Sequence, residues 1–264
     1  VLNMIVVKFG GHAMKDENGN FAKAISAALA TGEKVVVVHG GGPQIDAALK
    51  AKHITSDWIG GFRVTTQEIF DVVEDVLVNQ VGHEVAATLS KSGIKAKAIS
   101  ARELPTVVAS RRTTLIDGTP ADLGFVGEVQ SVNPAQLLDL LDKGIVPVVA
   151  PVSSDEDLVT GLNVNADFAA AAIAAALGAS ALIVMTDVAG IYRNWPDKSS
   201  LIEHIGAAEL ESIKAGFAEG MAPKVQAALD ALSFGAKAVR IIDGTDPDSF
   251  ASALAGSGGT LVVA

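Results

Sequence analysis

The amino-acid sequence predicts an α/β protein: an open, mainly parallel sheet in a three-layer αβα sandwich. Three observations lead there. Short apolar runs rich in β-branched residues recur along the chain, segments of helical length separate them, and glycine-rich turns join strand to helix. The runs are nearly continuous rather than alternating, which suits strands covered on both faces.

The first run, residues 5–9, ends in Gly10-Gly11 and is followed by a helix over 20–30. The second, 35–38, leads into Gly40-Gly41-Gly42 and a helix over 43–50 opened by Pro43. A long helix over 67–91 precedes a strand at 96–99. Residues 107–132 break the alternation. Two β-rich stretches there flank Asp117-Gly118-Thr119-Pro120, turn chemistry that predicts an antiparallel hairpin inserted into the sheet topology. Asn133 and Pro134 supply the cap and first-turn proline of a helix ending near 142, and Gly144 stops it. Strands at 145–149, 181–185, 239–242 and 261–263, and helices at 167–177, 207–214 and 223–233, complete the set. The almost wholly apolar stretch 168–185 is broken by Gly178 and Ser180 and bounded by Asp167 and Asp187, so it reads as a buried helix followed by a strand and not as a membrane span. With no linker or repeat, residues 1–264 are expected to form one domain of two lobes, 1–178 and 179–264.

Composition narrows the function classes. The 264 residues are 49% apolar and 19% charged, with a formal net charge of −10. A field of that sign repels nucleic acid and anionic membranes, so neither is an expected partner. The absence of cysteine removes disulfides, thiolate nucleophiles and Cys-based metal sites, and the N-terminus reads as a strand, so a cytoplasmic location is expected. No Gly-Lys dipeptide occurs, which excludes a Walker A loop, and Gly40-Gly41-Gly42-Pro43-Gln44-Ile45 lacks the last glycine of a dinucleotide fingerprint. His83-Glu84 is followed by Ala87, which fails as a zinc helix. No metal-ligating residues are predicted.

What remains is anion chemistry. Both glycine clusters lie between the end of a strand and a helix, where backbone N–H groups and the helix dipole favour a bound anion; tight turns are the plainer alternative. Lys8 sits inside an apolar strand beside Gly10 and needs an anionic partner if buried. Lys224 follows Gly220-Met221-Ala222-Pro223 in the first turn of a helix, against the dipole, as an anion-binding lysine would. In Asn163-Val164-Asn165-Ala166-Asp167, either Asn165 or Asp167 caps the next helix, or Asn163 binds a ligand while Asp167 holds lysines. Arg63 offers a two-pronged fork to a carboxylate.

Taken together, Lys8-Phe9-Gly10-Gly11, His39-Gly40-Gly41-Gly42-Pro43-Gln44, Gly61-Phe62-Arg63-Val64-Thr65, Phe125-Val126-Gly127, Asn163-Val164-Asn165-Ala166-Asp167, Thr186-Asp187-Val188-Ala189-Gly190-Ile191-Tyr192 and Gly220-Met221-Ala222-Pro223-Lys224 resemble the amino acid kinase family, in order and over nearly the whole chain. The resemblance implies a carbamate kinase-like fold and an ATP-dependent phosphorylation of the γ-carboxylate of N-acetyl-L-glutamate, a step of arginine biosynthesis. It implies that Lys8 and Lys224 stabilise the transferring phosphoryl group and that Asp167 orients both. It gives Gly41, Gly42, Arg63 and Asn163 to the acetylated amino acid and Gly10 and Gly11 to phosphate. Asp187, Val188, Ala189, Gly190, Ile191, Tyr192, Gly220 and Met221 are then expected to line the nucleotide site, with Mg²⁺ carried mainly by the ATP phosphates. A homodimer built on the helix near 67–91 is also implied.

Three departures accompany the resemblance. Seven residues precede Lys8, so the N-terminal helix of arginine-inhibited members is expected to be missing, and with it feedback and hexamers. Ser100-Ala101-Arg102-Glu103 replaces a glycine-containing turn, and His12 beside the phosphate loop is expected to pack or hydrogen-bond locally. Two other readings share the fold. A sister kinase acting on carrier-bound aminoadipate is opposed by Gly61-Phe62-Arg63-Val64-Thr65, and a non-catalytic amino-acid or nucleotide sensor by the presence of Lys8, Asp167 and Lys224.

Overall fold

The computed structural model describes residues 3–10, 14–218 and 220–264. Its spine is an eight-stranded sheet: β1 (Met4–Phe9), β2 (Lys34–His39), β5 (Ala96–Ser100), β8 (Val146–Ala150), β11 (Ala181–Thr186), β12 (His204–Gly206), β13 (Ala238–Asp243) and β14 (Thr260–Val263). The spatial order is β12-β14-β13-β11-β1-β2-β8-β5. All neighbours are parallel except β13 and β14.

Strand β1 lies between β11 and β2, in register Lys8 with Val184 and Lys8 with Val38. Its successive side chains feed two cores. Val6, with Val36, Val38, Leu182 and Val184, packs under α5 (Ala135–Asp142), α6 (Ala166–Leu177), α7 (Ala207–Ile213) and α8 (Ala222–Phe234). Ile5 and Val7, with Val35, Val37 and Ile183, pack under α1 (Asn20–Ala30), α2 (Gly42–Ala51), α3 (Gln67–Glu74), α4 (Gly82–Lys91) and α9 (Pro247–Leu254). Each fully buried Val or Leu contributes about 1.5–3 kcal/mol relative to exposure, which is why these runs are nearly continuously apolar and do not alternate.

The hairpin expected within 107–132 forms, but not in the main sheet. Strands β6 (Val107–Arg111) and β7 (Gly127–Val132) pair antiparallel and join β9 (Val152–Asp155) and β10 (Gly161–Asn163) in a separate sheet of order β10-β9-β6-β7. A third, two-stranded sheet pairs β3 (Trp58–Ile59) with β4 (Phe62–Arg63). Asn133 accepts a hydrogen bond from the Ala135 amide, as its capping role requires.

The long helix also differs in detail. Between α3 and α4 the segment Asp75–Val81 is π-helical. Close packing accompanies the change: a Cβ on Gly82 would sit 3.1 Å from His39 Nε2 and 3.2 Å from the Leu77 carbonyl oxygen. Among the described residues no helix is long and apolar enough to cross a membrane.

Candidate functional site

A cleft of about 630 Å³ opens at the C-terminal ends of β1 and β2 and is lined by Lys8, Gly10, Gly41, Gly42, Arg63, Asn163, Asp167 and Lys224 among others. Eight sequence-predicted residues from five separate segments therefore meet in one place. A larger groove of about 720 Å³ elsewhere gathers none of them.

The centre of the cleft is one carboxylate between two ammonium groups. Asp167 lies in the first turn of α6, whose N-cap is Asn165: the Asn165 side chain accepts from the Asp167 amide at 2.8 Å. Of the two capping readings, the asparagine is thus the cap, which frees the aspartate. Asp167 Oδ2 accepts from Lys224 Nζ at 2.9 Å, and Oδ1 makes an ionic contact with Lys8 Nζ at 3.3 Å. Lys8 is in an interior strand and Lys224 enters from the first turn of α8, behind Pro223.

The carboxylate is buried, and burial by itself would raise its pKa; Lys8 and Lys224 outweigh that effect and hold it below the ordinary range. Burial pushes the Lys8 ammonium down, Asp167 partly offsets this, and Lys224 adds to the depression. Two cations against one anion leave a net positive charge where a phosphoryl group would strengthen both lysines.

Around this centre the backbone supplies donors. Gly41, Gly42 and Gln44 at the start of α2, and Asn165 and Ala166 at the start of α6, line the cleft with helix N-termini. Gly41 has extended φ of 172°, which any residue adopts; its constraint is space, since a Cβ would come within 2.5 Å of Leu77 Cδ2. His39, fully buried, donates from Nδ1 to the Gly40 carbonyl at 2.9 Å, and burial lowers its pKa to about 4, so the ring is neutral at pH 7.

Arg63 forms the opposite wall. Its Nη1 donates to Ser56 Oγ at 2.8 Å, its Cζ lies 4.6 Å from the Trp58 ring centre, and its Nη2 is 2.8 Å from Asp46 Oδ1. That last contact is off the hydrogen-bonding direction, so Nη2 keeps an unused donor. Asn163 is tied to the same wall through Thr65: its Nδ2 donates to Thr65 Oγ1 at 3.2 Å, and that hydroxyl donates to the Arg63 carbonyl. Sequence reasoning missed Asp46, Ser56 and Trp58 as partners of Arg63, and Lys15 as a further cation on the cleft. Only their positions within a few residues of the glycine and Gly61-Phe62-Arg63 motifs pointed to them.

The expected nucleotide-lining residues do not line this cleft. Asp187, Val188, Ala189, Gly190, Ile191 and Tyr192 follow β11, beside β1, while Gly220 and Met221 immediately precede α8. The Ile191 side chain is fully buried, its amide donates to Thr260 Oγ1, and its carbonyl accepts from the Ile202 amide, contacts that brace this loop. Thr260 in turn donates to the Ile202 carbonyl and was not anticipated. Gly11 and His12 lie outside the described residues. Also among the described residues, no three or more His, Asp or Glu side chains gather to hold a metal ion.

The model of the amino acid kinase family matches residues 3–243. Acetylglutamate kinase of Beutenbergia cavernae is 46% identical over 247 residues, 92% of this chain and 79% of that protein. Acetylglutamate kinase of Nocardia farcinica is 46% identical over 246 residues, 92% of this chain and 81% of that protein. Among solved structures, the smu.665 protein of Streptococcus mutans UA159 superposes with a TM-score of 0.82 at 27% identity, covering 98% of both chains. Carbamate kinase from Giardia lamblia, at 18% identity over 100% of this chain and 99% of that one, shares the fold with a TM-score of 0.70.

Proposed function

The chain belongs to the amino acid kinase family, and on that premise we propose that it works as an acetylglutamate kinase, using ATP to convert N-acetyl-L-glutamate to N-acetyl-L-glutamyl 5-phosphate in arginine biosynthesis. The observation that carries the reading is the Lys8–Asp167–Lys224 cluster in a cleft whose far wall presents Arg63.

No general base is required. A γ-carboxylate with a pKa near about 4.3 is ionised at neutral pH and attacks the γ-phosphorus of ATP directly, displacing ADP. The protein's task is to bring two anions in line and to cover charge on the equatorial oxygens. Lys8 and Lys224 supply that charge, and Asp167 keeps both side chains aimed at one point. Arg63 takes the α-carboxylate of the amino acid, with Asn163 and the amides of Gly41 and Gly42 on the rest of the molecule; Gly10 and Gly11 receive phosphate. Asp187, Val188, Ala189, Gly190, Ile191, Tyr192, Gly220 and Met221 border the nucleotide. In this reading residues 1–178 serve the amino acid and 179–264 the nucleotide. A Mg²⁺ carried by the ATP phosphates would offset part of their charge beside Lys8 and Lys224.

We place the enzyme in the cytoplasm as a homodimer. The long helix over 67–91 is the proposed dimer element. The deciding experiment is hydroxylamine trapping of the acyl phosphate with ATP and, in parallel, N-acetylglutamate, glutamate, aspartate and aminoadipate. Preference for N-acetylglutamate is expected, and preference for any other acceptor overturns the assignment. Arg63→Ala is expected to raise KM for the amino acid with a small change in kcat.

A further inference from the structure

The larger groove, about 720 Å³, lies between β7, α6 and α8 and shares no lining residue with the catalytic cleft. Its floor is Ala171, Ala172, Ala175 and Ala176 of α6, and Phe234 stands at its edge, 77% exposed. Into this apolar trough project fixed charges of both signs.

Arg112 is the built part. Its side chain is 9% exposed, its Nε donates to the Thr114 carbonyl at 2.8 Å, and its Cζ lies 4.5 Å from the Phe62 ring centre and 5.4 Å from that of Phe168. Those two rings are stacked 6.3 Å apart, so the guanidinium plane is held rigidly. The nearest carboxylate, Glu128, is 3.9 Å from Nη1, beyond hydrogen-bonding distance. Among the described residues, Nη1 and Nη2 make no hydrogen bond. Asp230 of α8 feels the charge of Arg112 without bonding to it; its Oδ1 accepts from Gln226.

We propose that this groove is a second ligand site, taking a small zwitterion with an apolar side chain: its carboxylate on Arg112, its ammonium at Asp230, its side chain along the alanine floor. A simple anion would meet Glu128 and Asp230 at the site, and a simple cation would meet Arg112. A molecule carrying both charges answers each wall, and the alanines and Phe234 favour a hydrocarbon between them. The position matters to the chemistry, because α8 carries both Lys224 and Asp230, and α6 both Asp167 and the alanine floor. The site itself does not depend on which carboxylate the cleft phosphorylates.

The test is calorimetric titration of the whole chain with L-leucine, leucinamide and 4-methylpentanoate at millimolar concentrations. L-Leucine should bind saturably, with leucinamide and 4-methylpentanoate weaker by about tenfold or more, as loss of one charge-assisted contact requires. Arg112→Met and Asp230→Asn should each weaken leucine to a similar extent, and Ala176→Trp, at an exposed position that fills the groove, should abolish binding. Arg63→Ala should leave it intact. Because Arg112 packs on two rings, its variant is compared with Ala176→Trp, which leaves those contacts in place. Absence of saturable leucine binding overturns the proposal. So does binding that survives Ala176→Trp, that disappears in Arg63→Ala, or that leucinamide or 4-methylpentanoate matches.

Discussion

Replacing Asp167 with asparagine keeps the size and shape of the side chain and removes the one charge that Lys8 and Lys224 share. The carboxylate is 4% exposed and the lysine side chains 12% and 17% exposed, so neither ammonium gains much water when its partner is lost. Removing one member of such a buried cluster costs about 3–5 kcal/mol. Lys8 can recover part of that by giving up its proton, since its pKa is already depressed by burial and the pull of Asp167 would be gone. The expected loss is therefore about 3 kcal/mol at pH 7 and smaller at pH 9, where deprotonation is easier. Catalysis should suffer more. With the lysines no longer aimed at one point, kcat should fall by about 100- to 1000-fold, the scale of losing one positioned electrostatic contact to a transition state. Urea unfolding at the two pH values gives the first quantity and acyl-phosphate trapping the second. A variant within about 0.5 kcal/mol of the parent, the range of an ordinary surface change, together with kcat within tenfold, would refute the idea that Asp167 organises the site.

Other expectations follow from the same geometry. The folded-state pKa of Asp167 is below its unfolded value, so its contribution is complete above about pH 4 and is lost as pH falls through the folded value; acid unfolding of the parent should show this limb and Asp167→Asn should lack it. Gly41→Ala should raise KM for the amino acid through its clash with Leu77, and Leu77→Ala in the same chain should restore much of it, whereas independent, additive effects would contradict the packing argument. Thr260→Val should cost about 1–3 kcal/mol in urea midpoint analysis, because the Ile191 amide and Ile202 carbonyl would be left buried without the hydroxyl that joins them.

What could be read in the sequence was whatever rests on local pattern. The centres of β1, β2, β8 and β11 are continuous apolar runs because both faces are covered, and that pattern is visible without a structure. Strands β9 and β10 were not visible: Val152-Ser153-Ser154-Asp155 and Gly161-Leu162-Asn163 are short and half polar, and β9 is a strand only because β6 offers an edge to pair with, β10 only because it pairs with β9 in turn. The hairpin was found but placed in the wrong sheet for the same reason, since pairing partners are a tertiary property. Helix α9 opens on Asp246 and Pro247, the same cap-and-proline signal that located α5, and was overlooked. In the site, residues that announce themselves by conflict with their surroundings were legible. Lys8 in an apolar strand and Lys224 at a helix N-terminus are examples. Asp46 and Ser56, ordinary residues on a helix and a loop, become partners of Arg63 only when α2 and β4 fold together.

The π-helical turn over Asp75–Val81 also bears on how this gene can change length. A π turn holds more chain over the same rise than an α-helix does, so a one-residue deletion there is taken up by tightening to α geometry, with both ends of the long helix left where they are. The same deletion within α3 or α4 would turn one end against the other by about 100° and carry the affected side chains off their seats on the sheet. Insertions and deletions in otherwise similar chains should therefore gather in this segment, between α3 and the helix α4 that braces β5.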